Sequence, residues 1–378
     1  MSYTEITSTS WFSRIGDSLK GIIFGLIAIP VAIILLFWNE KREVDRTRTL
    51  EEGAKMAVSV DAKQISPSHE NKLVYLTGKA TTEETLTDPI YGVSQKGALK
   101  LQRHVEYYQY KEESKSETKK KLGGGTETIT TYDYPAKWAD NPIDSSAFKD
   151  PEYRSKNTIL KKIDEASHSP KLVQLEAYSL SDEQARRLEA DSPVPLTTDS
   201  PLPPSIAAEA SITNNTIYYG ADASTTSIGD VRIHFTYAPP GPYSIIAQQA
   251  GNSFVSYQAK KGTLSIIKPG THSIDSLFAQ EASSNRTLSW ILRAVGFTII
   301  GFGFIAILRP LSVVLDVVPF LGDIAETGTG LIAFALSLAI SSVTIALAWI
   351  TFRPLIGGGI LLIALAAIYW INRLKKKE

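Results

Sequence analysis

The stretch GIIFGLIAIPVAIILLFW, residues 21–38, decides the fold because it is apolar throughout. Three further apolar stretches follow late in the chain, at 289–308, 331–351 and 354–371. None of these segments contains Asp, Glu or Lys, and Arg293 is their one Arg. As helices they would be about 27–32 Å long, enough to cross the hydrocarbon core of a bilayer. Lipid offers no partner for backbone polar groups, so the sequence predicts four transmembrane helices, one before and three after a long polar stretch.

The polar stretch, residues 39–288, has the composition of a folded domain. It contains short runs rich in β-branched and aromatic residues, typical of strands, such as 73–78, 105–110, 231–237 and a hairpin at 244–259. Ser181 followed by Asp182 and Glu183 is the pattern of a capped helix. Prolines between 193 and 204 predict an extended connector that divides the domain into two lobes. The predicted fold class is a multi-pass α-helical membrane protein, four helices in a 1+3 arrangement, with a large inserted α+β extramembrane domain.

Charges beside the apolar segments predict the orientation. Arg14 and Lys20 precede the first segment, and Arg373 to Lys377 follow the last. Positive charges favour the cytoplasmic face, so we expect both termini there. This gives a cytoplasmic amphipathic N-terminus at 1–20, an uncleaved first span, a periplasmic or lumenal domain at 39–288 and a basic cytoplasmic tail at 372–378. Trp11, Phe12 and Ile15 predict a short amphipathic helix on the membrane surface before the first span.

The segment between the second and third spans, residues 309–330, is apolar but interrupted by charges and prolines. It is too broken to cross a bilayer, and an interfacial or re-entrant cytoplasmic segment fits its pattern best. A plain loop folded under the helices is the alternative. The residues that define it are Asp316, Pro319, Phe320, Leu321, Gly322 and Asp323.

Small residues recur at helical spacing within the spans. Two such residues four positions apart let helices approach closely, which is a common mode of packing in membranes. The pattern leaves open whether they pack inside one chain or between copies. The candidate packing and oligomerisation residues are Gly21 with Gly25, Ala335 with Ala339, and Ser337 with Ser341.

Composition limits the chemistry that the chain can perform. Its formal net charge is zero, which argues against nucleic acid as a partner, and it has no Cys. Its five His residues show no ligand spacing, and no nucleophile or phosphate-binding motif is present. We therefore expect no enzyme activity, no cofactor, no metal and no catalytic residue. A transporter or channel, using the Ser residues of 331–351, and a membrane-tethered hydrolase remain as alternatives.

Several strings, in their order around these spans, resemble the LUMA family, also called transmembrane protein 43. The strings are FWNE at 37–40, VEYYQY at 105–110, YDY at 132–134, IDSSAF at 143–148, GDVRI at 229–233 and PFLGD at 319–323. Lys41 stands where the family pattern has Gly.

This resemblance implies an integral membrane protein without a known catalytic activity. Eukaryotic members reside in the endoplasmic reticulum and inner nuclear membrane, where they self-associate and are linked to envelope organisation through lamins and emerin. The resemblance therefore implies a membrane scaffold whose partners are lipids, further copies of itself and other membrane proteins. In a bacterium the corresponding location would be the inner membrane.

Overall fold

The computed structural model describes residues 2–355, 357–359 and 362, and the chain within them forms two compact units. The strand-rich unit comprises the residues up to Glu5, Glu52–Ser116 and Thr130–Phe278. The helical unit comprises Ile6–Glu51, Glu117–Ile129 and the chain from Ala279 onward. The helical unit therefore includes a short piece of the polar stretch, 117–129.

The helices are α1 (Trp11–Met56), α2 (Asp182–Arg187), α3 (Pro204–Ala207), α4 (Ile274–Leu315) and α5 (Pro319–Phe352), with a 3-10 turn at Pro67–His69. The strands are β1 (Tyr3–Thr9), β2 (Val58–Ser59), β3 (Leu73–Thr81), β4 (Thr85–Thr87), β5 (Ser94–Lys96), β6 (Lys100–Tyr110), β7 (Glu113–Lys120), β8 (Thr126–Asp133), β9 (Ala136–Ala139), β10 (Ala166–His168), β11 (Gln174–Leu175), β12 (Tyr178–Ser179), β13 (Ser192–Pro193), β14 (Ser211–Thr213), β15 (Thr216–Tyr219), β16 (Val231–Ala238), β17 (Gly241–Ala250), β18 (Ser253–Val255), β19 (Tyr257–Ala259), β20 (Gly262–Leu264) and β21 (Ile266–Pro269).

Two larger sheets build the strand-rich unit. One runs β12-β11-β3-β17-β18, with β2 beside β3 and β21 beside β17. The other runs β10-β6-β16-β15-β14, with β9 beside β6 and β13 beside β16. Each has its own apolar core, around Leu76 and Ile245 in the first and around Val105 and Ile233 in the second. Alternate residues of β6 are buried, as expected for a strand with one face on a core.

The sequence-predicted strands at 73–78, 105–110 and 231–237 are present, but the expected division into two lobes is wrong. The tyrosine-rich strands β6 and β16 were assigned to different lobes, yet they pair along their length in one sheet, from Val231 opposite Tyr107 to Ala238 opposite Lys100. A long-range antiparallel pair of this kind cannot be read from a local proline pattern. The predicted hairpin forms between β17 and β18, with its turn at Gly251 and Asn252.

Local helix signals in the polar stretch are confirmed. Ser181 caps α2 with a capping box, in which its side chain accepts from the Gln184 backbone N–H and Gln184 bonds back. The residues before the second apolar segment form the first turns of α4.

Among the residues that the structure describes, α1, α4 and α5 are long and apolar enough to cross a membrane. Helix α1 runs without a break from Trp11 to Met56, so the predicted surface helix is the beginning of α1. It also continues past Trp38, because the residues that follow are mainly helix-favouring Glu, Lys, Arg and Leu. The predicted fourth helix, 354–371, lies largely outside the described residues, and the tail 372–378 lies wholly outside them. Both stay predictions.

The segment 309–330 consists of two helix ends joined by a short turn. Helix α4 extends to Leu315, and α5 begins at Pro319. Pro319 is tolerated there because the first helical residue needs no backbone N–H partner. The helices therefore extend through the segment, and its depth in the membrane stays a prediction. The architecture is that of a membrane protein with a large strand-rich extramembrane domain.

Candidate functional site: two polar layers of the helical unit

The first polar layer joins α1, α4 and α5. Glu40 on α1 is fully buried and accepts two hydrogen bonds from Arg293 on α4, at 2.6 and 2.8 Å. Trp349 on α5 donates its indole N–H to the same carboxylate at 2.7 Å. A buried carboxylate is strongly destabilising unless it is paired and hydrogen-bonded, and here both conditions are met. One carboxylate thus connects three helices.

Neighbouring side chains extend this layer. Asn39 is fully buried and donates to the hydroxyl and carbonyl oxygens of Ser289, both at 3.2 Å. Glu43 on α1 pairs with Arg353, just beyond α5. We call Asn39, Glu40, Glu43, Arg293, Trp349 and Arg353 the Glu40 layer.

Sequence reasoning missed this layer. Arg293, the one Arg of the apolar segments, pairs with Glu40, and its guanidinium also lies 4.9 Å from the Trp290 ring centroid. The signal was available, because a single Arg inside an apolar segment usually has an acidic partner.

The second polar layer lies at the other end of the helices. Arg14 near the start of α1 pairs with Asp316, the residue after α4, whose side chain is almost fully buried. Lys120, in the tip of the β7–β8 hairpin, lies 2.9 Å from both Asp316 and Asp323 and 2.7 Å from Glu326. We call these five side chains the Asp316 layer.

The environment of Lys120 keeps its ammonium charged. Burial alone lowers the pKa of Lys120, but the hydrogen bonds that its ammonium donates to three nearby carboxylates outweigh that effect, and the net shift of the pKa is upward. The tip of the hairpin also contacts the turn between α4 and α5, where the backbone N–H of Gly123 donates to the Val317 carbonyl at 3.1 Å. The indole N–H of Trp11 donates to the Val313 carbonyl at 2.8 Å.

A cavity of about 710 Å³ adjoins the Asp316 layer. Its lining combines charged side chains with threonine hydroxyls from the hairpin and with apolar side chains of α4. Along α4, Arg293 and Leu315 bound the stretch between the layers, which is about 33 Å at the helical rise. That length matches the hydrocarbon core of a bilayer, so the layers fit its two faces.

The sequence-predicted packing residues fall into two groups. Gly21, Gly25, Ser337 and Ser341 face other helices of the same chain. A Cβ added to Gly25 would overlap the Gly303 carbonyl and lie 2.6 Å from Ile307, whereas one on Gly21 would meet Ala306 at an ordinary 3.4 Å. The Ser337 hydroxyl donates to the Phe297 carbonyl of α4 at 2.6 Å, and Ser341 is buried beside it. Ala335 and Ala339 form the second group, exposed on α5.

The predicted residues of the interfacial segment also fall into a buried group and an exposed group. Asp316 is buried in the ion pairs, and Gly322 packs directly against it, leaving no room for a side chain. Asp323 is exposed but pairs with Lys120. Phe320 and Leu321 are exposed at the start of α5, just after Pro319.

The strand-rich unit holds a separate cluster of titratable groups. His104 and His234 are opposite each other on β6 and β16, with their rings stacked 4.8 Å apart. Burial, followed by the nearby charge of His104, lowers the pKa of His234. Glu106 is held by two hydrogen bonds from Arg232. Within the described part of the chain, no group of three His, Asp or Glu side chains could hold a metal ion.

The chain is similar to known proteins along most of its length. The family model for Transmembrane protein 43 matches residues 107–354. Transmembrane protein 43 of Rattus norvegicus is 28% identical over 368 residues, covering 93% of this chain and 90% of the relative. The Homo sapiens protein is 28% identical over 359 residues, with coverages of 91% and 88%. The Drosophila melanogaster homolog is 29% identical over 364 residues, with coverages of 93% and 94%. No solved structure matches the chain.

These relatives carry the name of a membrane protein, in agreement with the apolar helices α1, α4 and α5. The family match covers more than half of the chain and includes most of the strand-rich unit, α4 and α5. The chain therefore belongs to the Transmembrane protein 43 family.

Proposed function

We propose that the protein is a non-enzymatic membrane scaffold that self-associates through its helices and organises lipids and other membrane proteins around it. The observation that carries this proposal is the exposed pair Ala335 and Ala339 on α5. The other two candidate pairs, Gly21 with Gly25 and Ser337 with Ser341, face helices of the same chain. Ala335 and Ala339 therefore remain available for a helix of another molecule.

The surroundings of this pair fit a helix–helix contact in lipid. Leu331 and Leu338 are exposed beside it, on the same side of α5. Small residues let two backbones approach closely, and larger neighbours then interlock at the edges of the contact. The two polar layers leave the outer faces of the helices apolar, so such a contact needs no buried charge.

Native mass spectrometry of the full-length protein released from lipid nanodiscs tests self-association. We expect a discrete oligomer for the natural chain and a shift toward monomer when Ala335 and Ala339 are both changed to Leu. Ala294→Leu is the matched control, since Ala294 is exposed on α4 away from this pair. A monomeric natural chain, or equal dissociation of the control, would contradict the proposal.

The proposed topology keeps both termini and the turn between α4 and α5 on the cytoplasmic face. Lys120 pairs with Asp316 and Asp323, which is best explained if the hairpin tip shares that face. The run Lys119-Lys120-Lys121 fits the cytoplasmic preference of positive charge. The proposal therefore groups 117–129 with the cytoplasmic segments, apart from the rest of 39–288. The polar strands β7 and β8 must then be surrounded by water or protein, because lipid cannot hydrogen-bond to the backbone groups at the edges of an open sheet.

The lack of Cys makes this topology directly measurable. Leu122→Cys marks the hairpin tip, and Leu160→Cys marks the strand-rich unit, since both side chains are well exposed. A membrane-impermeant maleimide should label position 160 in right-side-out vesicles and position 122 in inside-out vesicles. Labelling of both positions from one side would contradict the proposed separation.

A further inference from the structure

The cavity beside the Asp316 layer has one polar wall and one apolar wall. The hairpin supplies hydroxyls from Thr118, Thr126 and Thr128. Helix α4 supplies the apolar side chains of Ile305 and Val313. A cavity of this kind fits a ligand that has a polar group and a hydrocarbon part. The polar group would hydrogen-bond to the hydroxyl wall, and the hydrocarbon part would cover the apolar wall.

The acidic groups of the cavity already have cationic partners. Asp17 pairs with Lys20, Asp316 with Arg14 and Lys120, and Glu326 with Lys120. Each of these carboxylates therefore has a cationic partner, although one Lys120 is shared by Asp316, Asp323 and Glu326.

Arg309 differs from the other cations of the cavity. It lines the cavity and is exposed, and it makes no hydrogen bond or ion pair with any residue that the structure describes. It lies one helical turn after Ile305 and one turn before Val313, so the three side chains share one face of α4. The guanidinium is therefore a positive charge without an ion-pair partner among the described residues, beside an apolar surface at the end of a membrane-spanning segment.

We propose that this cavity binds the phosphodiester of a phospholipid head group, with the Arg309 guanidinium as the phosphate ligand. A guanidinium matches the paired oxygens of a phosphate, and the charge-assisted hydrogen bonds are stronger than neutral ones. The hydroxyls of Thr118 and Thr128 lie 3.0 Å apart and bond each other, so one of these two, together with that of Thr126, donates to the remaining oxygens. An acyl chain continues along Ile305 toward the apolar span, which favours a lipid over a free phosphate ester.

This inference deepens the lipid part of the proposed function, but it can fail separately from self-association. The test uses full-length protein in phosphatidylcholine nanodiscs that contain a small fraction of phosphatidylglycerol, released for native mass spectrometry. Bound phospholipid and oligomer size are read from the same spectra. Arg309→Gln should reduce retained phospholipid about tenfold at an unchanged oligomer size, the loss expected for removing one charge-assisted contact. Arg286→Gln, at an exposed position in the first half of the same helix, is the matched control.

Three results would overturn the assignment. The first is equal lipid retention by Arg309→Gln and the natural chain. The second is the same loss in Arg286→Gln, which would indicate a general effect of charge. The third is displacement of the retained lipid by millimolar glycerol phosphate in detergent, which would assign the cavity to a soluble phosphate ester. Retention that depends on Arg309 and resists glycerol phosphate supports a phospholipid site.

Discussion

Both polar layers of the helical unit contain a buried carboxylate, but its hydrogen-bond and ion-pair partners differ between the two layers. In the Glu40 layer, a fully buried carboxylate is closed off by Arg293 and Trp349, all supplied by helices. In the Asp316 layer, a buried carboxylate is shared by Arg14 and by Lys120 from a hairpin, and a cavity of about 710 Å³ lies beside it. The Arg293 cation of the first layer pairs with one buried carboxylate, whereas the Lys120 cation of the second layer also pairs with two exposed carboxylates.

This difference has an energetic consequence. Among the described residues, Glu40 forms an ion pair with Arg293 alone, so the loss of Arg293 leaves a buried charge. Lys120 keeps Asp323 and Glu326, which are both exposed, if Asp316 is removed. We therefore assign the Glu40 layer to holding the helices together and the Asp316 layer to interactions that can rearrange. The following changes test that assignment.

The largest effect is expected for Arg293→Ala. It leaves Glu40 buried without its cation, and breaking a buried pair in this way typically costs about 3–5 kcal/mol. The free energy of unfolding, measured by SDS titration in micelles, should fall by that order. Replacing both partners, as Glu40→Gln with Arg293→Met, should restore much of the loss because no unpaired charge remains.

Arg286→Ala is the control for Arg293→Ala. Arg286 is exposed on the same helix, and exposed substitutions of this kind usually change stability by less than about 0.5 kcal/mol. Similar destabilisation by the two variants would show that the ion pair with Glu40 is not the cause.

Asp316→Asn should have a smaller effect than the loss of Arg293. Arg14 keeps its hydrogen bond to the Gly124 carbonyl, and Lys120 keeps its two exposed carboxylates. We expect a loss of about 1.5–3 kcal/mol, the range for a lost hydrogen bond to a charged group. The same SDS titration measures it. A loss as large as that of Arg293→Ala would mean that the two layers are equally rigid.

The apolar stretch between the layers offers a steric test. Gly25→Ala would place its Cβ against the Gly303 carbonyl and 2.6 Å from Ile307, whereas Gly21→Ala would meet Ala306 at 3.4 Å. Overpacking typically costs about 1–3 kcal/mol, so Gly25→Ala should lower the midpoint of thermal unfolding and Gly21→Ala should change it little. Equal midpoints would show that α1 and α4 can separate without cost.

The sequence was informative wherever the signal was local. The apolar segments, the capped helix at Ser181 and the alternation in β6 each depend on neighbouring residues, and each predicted an element that the structure contains. The Glu40 layer depends on residues more than 250 positions apart in the chain, which no local pattern reveals. The position of Lys120 was missed for the same reason, since a charged hairpin is usually solvated unless distant carboxylates approach it.

Two serines of α5 give the smallest and most closely matched test. The Ser337 hydroxyl donates to the Phe297 carbonyl at 2.6 Å, while the Ser341 hydroxyl oxygen is buried and has no hydrogen-bond partner within the described residues. Hydrogen bonds between membrane helices contribute about 0.6 kcal/mol on average, so Ser337→Ala should lower stability by roughly that amount. Ser341→Ala removes a buried hydroxyl that has no partner, so it should be neutral or slightly stabilising. SDS titration of both variants compares them directly, and a larger loss for Ser341→Ala would indicate that Ser341, rather than Ser337, bonds to a neighbour in the membrane. A larger loss for Ser337→Ala, as expected, would mean that the middle of the helix bundle has one weak polar contact between helices. The stability of the bundle would then depend mainly on the polar layers at its two ends.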